Sequence, residues 1–306
     1  RDKKFLFFFN ILYFRILVCL KNDQNVHKIY NILYVLLSYN VEVMKTTMIT
    51  GPTAGIGKSL AYQLAERGEN LLLVARRENR LQSISSDIQT KFNVQVNYIV
   101  ADLTSKDAPN EIYKYCKNKG LDISTLILNA GYQINTRLDE ASLDEEEACL
   151  RVLGLSVIMQ TKLHLKDLVK RGGGNIMVVS SIAAFAPTSN EFAVLYGPVK
   201  TFMNRFVEAI NSAYNKDNIY ATSVCPGFTN TEFHEMSGTQ DRMDKVPSFM
   251  KMSSDAVAKE GIIGMDKRKE IVITGGLNRF LMNLLRFFPR PLIKMIGNAL
   301  AGGRYK

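Results

Sequence analysis

The 306-residue sequence predicts an α/β protein, a doubly wound fold whose seven parallel strands carry helices on both faces. Three observations lead there. A short apolar strand ends in the glycine-rich turn Thr50-Gly51-x3-Gly55-x-Gly57 and runs into a helical pattern. From Met44 onward, strand and helix patterns alternate, which implies parallel strands joined by right-handed crossovers. The stretch 70–76, NLLLVAR, is a continuous apolar run, as a strand buried on both faces requires.

Taken in order, the glycine turn feeds a helix over 58–67 that starts near Gly55 and ends at Gly68. The second strand, 70–76, is followed by helical spacing over 78–92. The third strand is 94–100, with Asp102 and Leu103 beyond its end. A helix over 108–119 precedes the fourth strand, 124–128, which closes in Asn129-Ala130-Gly131. One long helix is expected over 143–171, broken by three glycines. The fifth strand, 175–179, ends in Ser180-Ser181. The next helix begins near Tyr196 and reaches about 214. The sixth strand, 220–224, closes in Pro226-Gly227. Residues 228–252 show no strong period and read as a mobile substrate lid. A helix over 253–265 and a seventh strand over 270–273 complete the sheet. Ligands of such sheets bind beyond the carboxyl ends of the strands, and every motif named here sits at such an end.

Three segments follow: an extension over 1–43, a nucleotide-binding catalytic domain over 44–275, and a basic amphipathic tail over 276–306. Residues 1–43 are rich in Phe, Ile, Leu, Tyr and Asn. They read either as a signal or membrane anchor or as non-native sequence ahead of Met44, the first methionine. In the tail, Arg279, Arg286, Arg290 and Lys294 would share one helix face, interrupted by Pro289 and Pro291. That face suits membrane-surface contact, oligomer contact or covering the core.

The net charge of +10 is concentrated at the ends: +3 over 1–43 and +8 over 267–306, leaving −1 between. A nearly neutral body argues against nucleic acid as a partner. The four cysteines are scattered without a CxxC, which excludes a disulfide framework or zinc site and suggests a reducing compartment. The three histidines are isolated, so no metal is expected.

Tyr196 and Lys200 stand four apart at a helix start, on one face. An ammonium beside a phenol stabilises the phenolate and lowers its pKa. Such a pair can exchange a proton with a carbonyl oxygen. The glycine turn, Asn-Ala-Gly, Ser-Ser and Tyr-x3-Lys, in this order, resemble the classical short-chain dehydrogenases/reductases over about 44–275. The resemblance implies a Rossmann-type fold and hydride transfer between NADPH and a carbonyl or secondary alcohol. It implies Ser181, Tyr196 and Lys200 as the catalytic set, with Ser181 bonding the substrate carbonyl and Lys200 also binding the nicotinamide ribose. It implies a cofactor site of Gly51, Thr53, Gly55, Ile56, Gly57, Asp102, Leu103, Asn129, Ala130, Gly131, Pro226, Gly227, Thr229 and Thr231, besides Tyr196 and Lys200. Asp102 would contact the adenine and Asn129 would support the central strands.

Three departures stand out. Leu153 occupies the position where active members carry a relay asparagine, and leucine cannot hydrogen-bond. Ser181 and Tyr196 are 15 residues apart where 13 is usual, which points to an insertion in the loop 187–195. Gly-Pro-Val lies between Tyr196 and Lys200, with Pro198 tolerable in a first helical turn.

At the end of the second strand an acidic residue would favour NAD. The chain has Arg76 and Arg77, which suit a 2′-phosphate through charge-assisted bonds, with Glu78 tempering the field. NADP is therefore expected over NAD. Phe185, Phe192, Phe228, Phe233, Phe249 and Met250 would line an apolar substrate pocket. The main expectation is a cytoplasmic NADP-dependent oxidoreductase, a homodimer or homotetramer, with peripheral membrane contact through either terminus. The alternatives are a nucleotide-binding member without turnover, favoured by Leu153, and a membrane-associated scaffold.

Overall fold

A computed structural model of the chain describes residues 45–185 and 194–285. The readings of 1–43, of Phe192 and of Arg286, Arg290 and Lys294 lie outside the described residues.

The strands are β1 (Thr46–Thr50), β2 (Asn70–Ala75), β3 (Val96–Val100), β4 (Ile123–Leu128), β5 (Gly174–Val179) and β6 (Ile219–Cys225). A short pair, β7 (Thr229–Asn230) and β8 (Met252–Ser253), precedes β9 (Ile271–Ile273). Seven of them form one sheet in the order β3-β2-β1-β4-β5-β6-β9, every neighbouring pair parallel. The chain winds outward from β1 to β3, then returns to β4 on the other side of β1. The carboxyl ends of β1 and β4 are therefore the switch point, where a crevice opens.

The continuous apolar strands divide their side chains between two cores, because alternate residues of a strand point to opposite faces. Met48, Leu72, Val74, Leu126 and Val178 pack on one face. Ile49, Leu71, Leu73, Ile127 and Met177 pack on the other. The second core meets α1 (Gly55–Glu66) through Leu60, Ala61 and Leu64, and α2 (Glu78–Phe92) through Leu81 and Ile88. The first meets α3 (Ala108–Asn118) through Ile112.

The long helix expected over 143–171 is interrupted. It consists of α4 (Leu143–Leu150), a π-helical turn Arg151–Leu155, and α5 (Ser156–Arg171). A capping box between Ser142 and Glu145 starts it. The wider turn buries Val152, Leu153 and Gly154 together. Such turns recur at functional sites. Then come α6 (Tyr196–Tyr214) and the short α7 (Phe233–Met236) and α8 (Gln240–Asp244). Next is α9 (Ser254–Asp266), whose N-cap Ser253 accepts the Ala256 N–H at 3.1 Å. The last described helix is α10 (Gly276–Leu285).

The lid segment carries structure of its own: β7 pairs with β8, so its two ends are tied together around α7 and α8. No aperiodic loop spans 228–252; each element is too short to leave a period in the sequence. Beyond β9, the tail begins by docking. Met282 joins Cys225 and Ile273 in a small core, and Arg279 pairs with Glu260 at 2.6 Å. Among the described residues no helix is long and apolar enough to cross a membrane.

Packing at the start of α1 is the tightest point of this architecture. A Cβ on Gly57 would overlap the Gly51 carbonyl oxygen and the Asn129 amide. Overpacking of this kind typically costs about 1–3 kcal/mol or more. Gly57→Ala is therefore expected to lower the melting temperature sharply or prevent folding. Gly276→Ala, where a Cβ meets nothing within 4 Å, should leave the melting temperature within a few degrees of wild type. Thermal denaturation of both variants checks the contrast.

Candidate active site

One cavity of about 700 Å³ opens at the switch point and collects the expected residues. Its floor is the turn Gly51, Thr53, Gly55, Ile56 and Gly57. Gly51 and Gly55 have φ of 68° and 53°, a left-handed geometry that glycine adopts without steric cost. The space beside Gly55 is closed by Thr231, whose Cβ lies 2.9 Å from where a glycine Cβ would stand. The N-terminus of α1 has Ala54 as its cap, with no side chain bonded to it and no acid in its first turn. Its leading N–H groups are thus available to an anion.

Asn129 fastens the turn to β4. Its Nδ2 donates to the carbonyls of Thr50 and Gly51 at 3.0 and 3.1 Å. The N–H groups of Asn129 and Ala130 both donate to Thr50 Oγ1, at 3.0 and 3.1 Å. Ala130 and Gly131 line the adjoining wall, as do Asp102 and Leu103 beyond β3. The Asp102 carboxylate accepts the Thr104 N–H and hydroxyl, which holds its turn.

The wall opposite is formed by the ends of β5 and β6. Ser181, Tyr196 and Lys200 line it together, although 15 residues separate the serine from the tyrosine. The Lys200 Nζ donates to the Val179 carbonyl at 2.8 Å and lies 5.5 Å from the Tyr196 ring centre. Ser181 Oγ accepts the Ala183 N–H at 3.1 Å, so its strand end is locally capped. Burial pushes the Tyr196 phenol up to about 12, opposed by a hydrogen bond with Ser181. Burial pulls the Lys200 ammonium down to about 8. Ser181 is the neighbour that pulls the phenol down. Both shifts follow from desolvation, which penalises whichever form is charged.

Leu153 sits in the π-helical turn, in an apolar cluster with Cys149, Val199 and the half-buried Tyr196. Its Cδ2 stands 2.9 Å from where a Cβ on Gly131 would be, and Lys200 Nζ stands 4.0 Å from that same point. Leucine and ammonium thus both border Gly131, and the leucine has no hydrogen bond to offer.

Pro226, Gly227, Thr229 and Thr231 line the cavity from the lid side. Asn278 of α10 fills the space beside Gly227 and donates to the Thr274 carbonyl at 2.8 Å. Phe228 and Phe233 line the cavity too. Phe249 does not; it is exposed on the outer surface, and Met250 is also away from the lining. Phe185 packs instead against Cys225 and Ile273 beneath the wall. The apolar lining the sequence did not indicate comes from Tyr132, Val152, Met236, Met243 and Val246.

At the end of β2, Arg76 is exposed and makes no ion pair with any described residue, whereas Arg77 is engaged. Arg77 donates to Thr53 Oγ1 at 2.9 Å and pairs with Glu232 at 3.3 Å. Arg80 pairs with the same carboxylate at 2.7 Å. The acid that tempers the arginines is thus Glu232, while Glu78 accepts from Gln82 at 3.3 Å. No local signal marks Glu232, because it pairs with residues some 150 positions away.

Residues 45–242 match the family described as short chain dehydrogenase. The very-long-chain 3-oxoacyl-CoA reductase of Macaca fascicularis is 31% identical over 229 residues, 72% of this chain and 69% of the relative. The protein of the same name from Homo sapiens is 30% identical over the same shares. Among solved structures, a short-chain dehydrogenase from Sphingobium yanoikuyae in complex with NADPH superposes with a TM-score of 0.70 at 24% identity. It covers 80% of this chain and 96% of its own. An alcohol dehydrogenase from Thermococcus sibiricus complexed with 5-hydroxy-NADP gives 0.65 at 25% identity, covering 75% and 95%. The parallel sheet, the cavity at its switch point and a family match spanning most of the catalytic body agree, and the chain belongs to the short-chain dehydrogenase/reductase family of oxidoreductases.

Proposed function

We propose that the protein is an NADP-dependent reductase acting on a ketone carried by an apolar chain. A 3-oxoacyl thioester is the form that the names of its relatives suggest. The observation that carries this reading is the meeting of Ser181, Tyr196 and Lys200 in one cavity with the glycine turn. The residues present fit a dinucleotide. The uncapped start of α1 suits a pyrophosphate, and the exposed Arg76 suits a 2′-phosphate. Gly131, Lys200 and Thr229 would adjoin the nicotinamide end. When bound, the dinucleotide supplies the hydride.

The chain's own residues handle the proton. A phenol held near 12 keeps its O–H through neutral pH, as a proton donor to a carbonyl oxygen must. Ser181, bonded to that phenol, orients both the tyrosine and the incoming carbonyl. Lys200 is fixed by the Val179 carbonyl and supplies a positive charge beside the developing alkoxide. The apolar lid side chains exclude water and receive the chain of the substrate. A homodimer or homotetramer through the long helices belongs to this proposal; Leu155 and Met159 on that helix and Phe202 on α6 are exposed. The second reading is a nucleotide-binding member without turnover, favoured by Leu153 beside Lys200.

Turnover is tested with a panel of ketones and 3-oxoacyl thioesters, read as loss of reduced cofactor. Tyr196→Phe is expected to lower kcat by about 10²–10⁴-fold while leaving NADPH affinity nearly unchanged. Tight NADPH binding without turnover on any carbonyl would select the second reading instead.

Cofactor preference is tested at Arg76. A hydrogen bond to a charged group is worth about 1.5–3 kcal/mol. Arg76→Ala is therefore expected to weaken NADPH at least tenfold and NADH little, measured by fluorescence of the bound dinucleotide. Equal weakening of both would assign the arginine to structure.

The pH profile follows from Lys200. Its ammonium is present below about 8 and lost above it, so reduction is expected to be flat near neutrality and to fall as pH rises through about 8. Leu153→Asn, which brings an amide beside the ammonium, should raise kcat severalfold near pH 7 if proton resupply limits turnover. An unchanged kcat would place the limit elsewhere.

A further inference from the structure

The turn after β2 and the lid segment meet at a single carboxylate. Glu232 Oε2 lies 2.7 Å from Arg80 and 3.3 Å from Arg77, and Oε1 lies 2.9 Å from Arg80. Arg77 reaches in the other direction to Thr53 of the glycine turn. Glu232 and Arg77 both line the cavity, and Arg80 stands outside it. All three side chains keep between about a third and two fifths of their surface exposed. The pairing lowers the Glu232 carboxyl from its ordinary value, the hydrogen bond from Arg80 acting most strongly.

We propose that Glu232 is a specificity-determining residue, an internal anion that occupies Arg77 and competes with the 2′-phosphate of a phosphorylated dinucleotide. The proposal rests on the NADP reading above and adds a residue to it. Two cations are available at the end of β2 for such a phosphate. Arg76 is unpaired among the described residues, but Arg77 is shared with Glu232. A phosphate approaching Arg77 must displace or lie against a carboxylate. A dinucleotide with a free 2′-hydroxyl brings no charge and meets no such conflict. The half-exposed ion pair is weak enough to exchange, since pairs of this kind are strongly screened by water. Arg80 draws the carboxylate away from Arg77, because its contacts are shorter. Glu232 also begins α7 of the lid, so the same exchange links phosphate binding to the placement of Phe233 and Met236 over the cavity.

The test is the ratio of NADPH to NADH dissociation constants for the full chain and two variants. Glu232→Gln removes the competing charge and is expected to tighten NADPH by roughly threefold to tenfold, with NADH unchanged. Arg80→Ala leaves Glu232 to lean on Arg77 alone and is expected to shift the ratio the other way. A structural role of Glu232 would weaken both cofactors together, and that result overturns the proposal. Selective weakening of NADPH by Glu232→Gln also overturns it, since it would mean that the carboxylate presents Arg77 to the phosphate. If the wild type does not distinguish the cofactors and Arg76→Ala moves neither, the NADP reading falls and this proposal with it. If the wild type prefers NADPH and Glu232→Gln leaves the ratio unmoved, only the present proposal falls.

Discussion

The architecture depends on one close approach, that of the turn Gly51–Gly57 to the end of β4. Asn129 spans it with two donated bonds, and Thr50 receives two N–H groups from the other side. Each such bond contributes about 0.5–1.5 kcal/mol net, so the group is worth a few kcal/mol. Its larger effect is geometric. With no side chain at Gly57, α1 lies against the turn, and its first N–H groups open into the crevice between β1 and β4. A bulkier residue there would displace the helix and with it the anion-attracting end. The side-chain-free packing at Gly57 and the chemistry of the cleft are thus one feature.

The catalytic wall is governed by desolvation. Tyr196 and Lys200 share a region poor in water, and each is driven toward its neutral form. For the phenol this preserves the proton that the proposed reduction requires of it. For the lysine it brings the charge to the edge of the neutral range. The Val179 carbonyl accepts a hydrogen bond from that ammonium, and Leu153 has no polar group to offer one. The π-helical turn buries Leu153 against Gly131 on this side of the cavity.

The lid is joined to the rest of the cleft at both of its faces. Its ends close on each other through β7 and β8, and Glu232 ties it to the arginines after β2. Gly227 and Asn278 join it to α10. The cavity-lining Phe233 and Met243 are therefore carried on a segment that an ion pair joins to the turn after β2.

Much of this was legible in the chain itself. Apolar strands alternating with amphipathic helices dictate a parallel sheet, because period and burial are local properties. The glycine turn, Asn129 and Ser181 were legible because each sits at a strand end and the topology sends all strand ends to one edge; Tyr196 and Lys200 were legible as a pair on one face at the start of α6. Four matters were decided only in three dimensions. Glu232 replaced Glu78 as the partner of the arginines, since side-chain pairing across some 150 residues leaves no local trace. Phe249 is exposed and Met243 lines the cavity, an outcome the sequence could not signal because the lid elements are too short to carry a period. The long helix is interrupted by a π-helical turn at Leu153, which packs against Gly131 and Val199, contacts that no helical period announces. The ionisation of Tyr196 and Lys200 was likewise set by burial, a quantity that exists only once the sheet and α6 have closed over them.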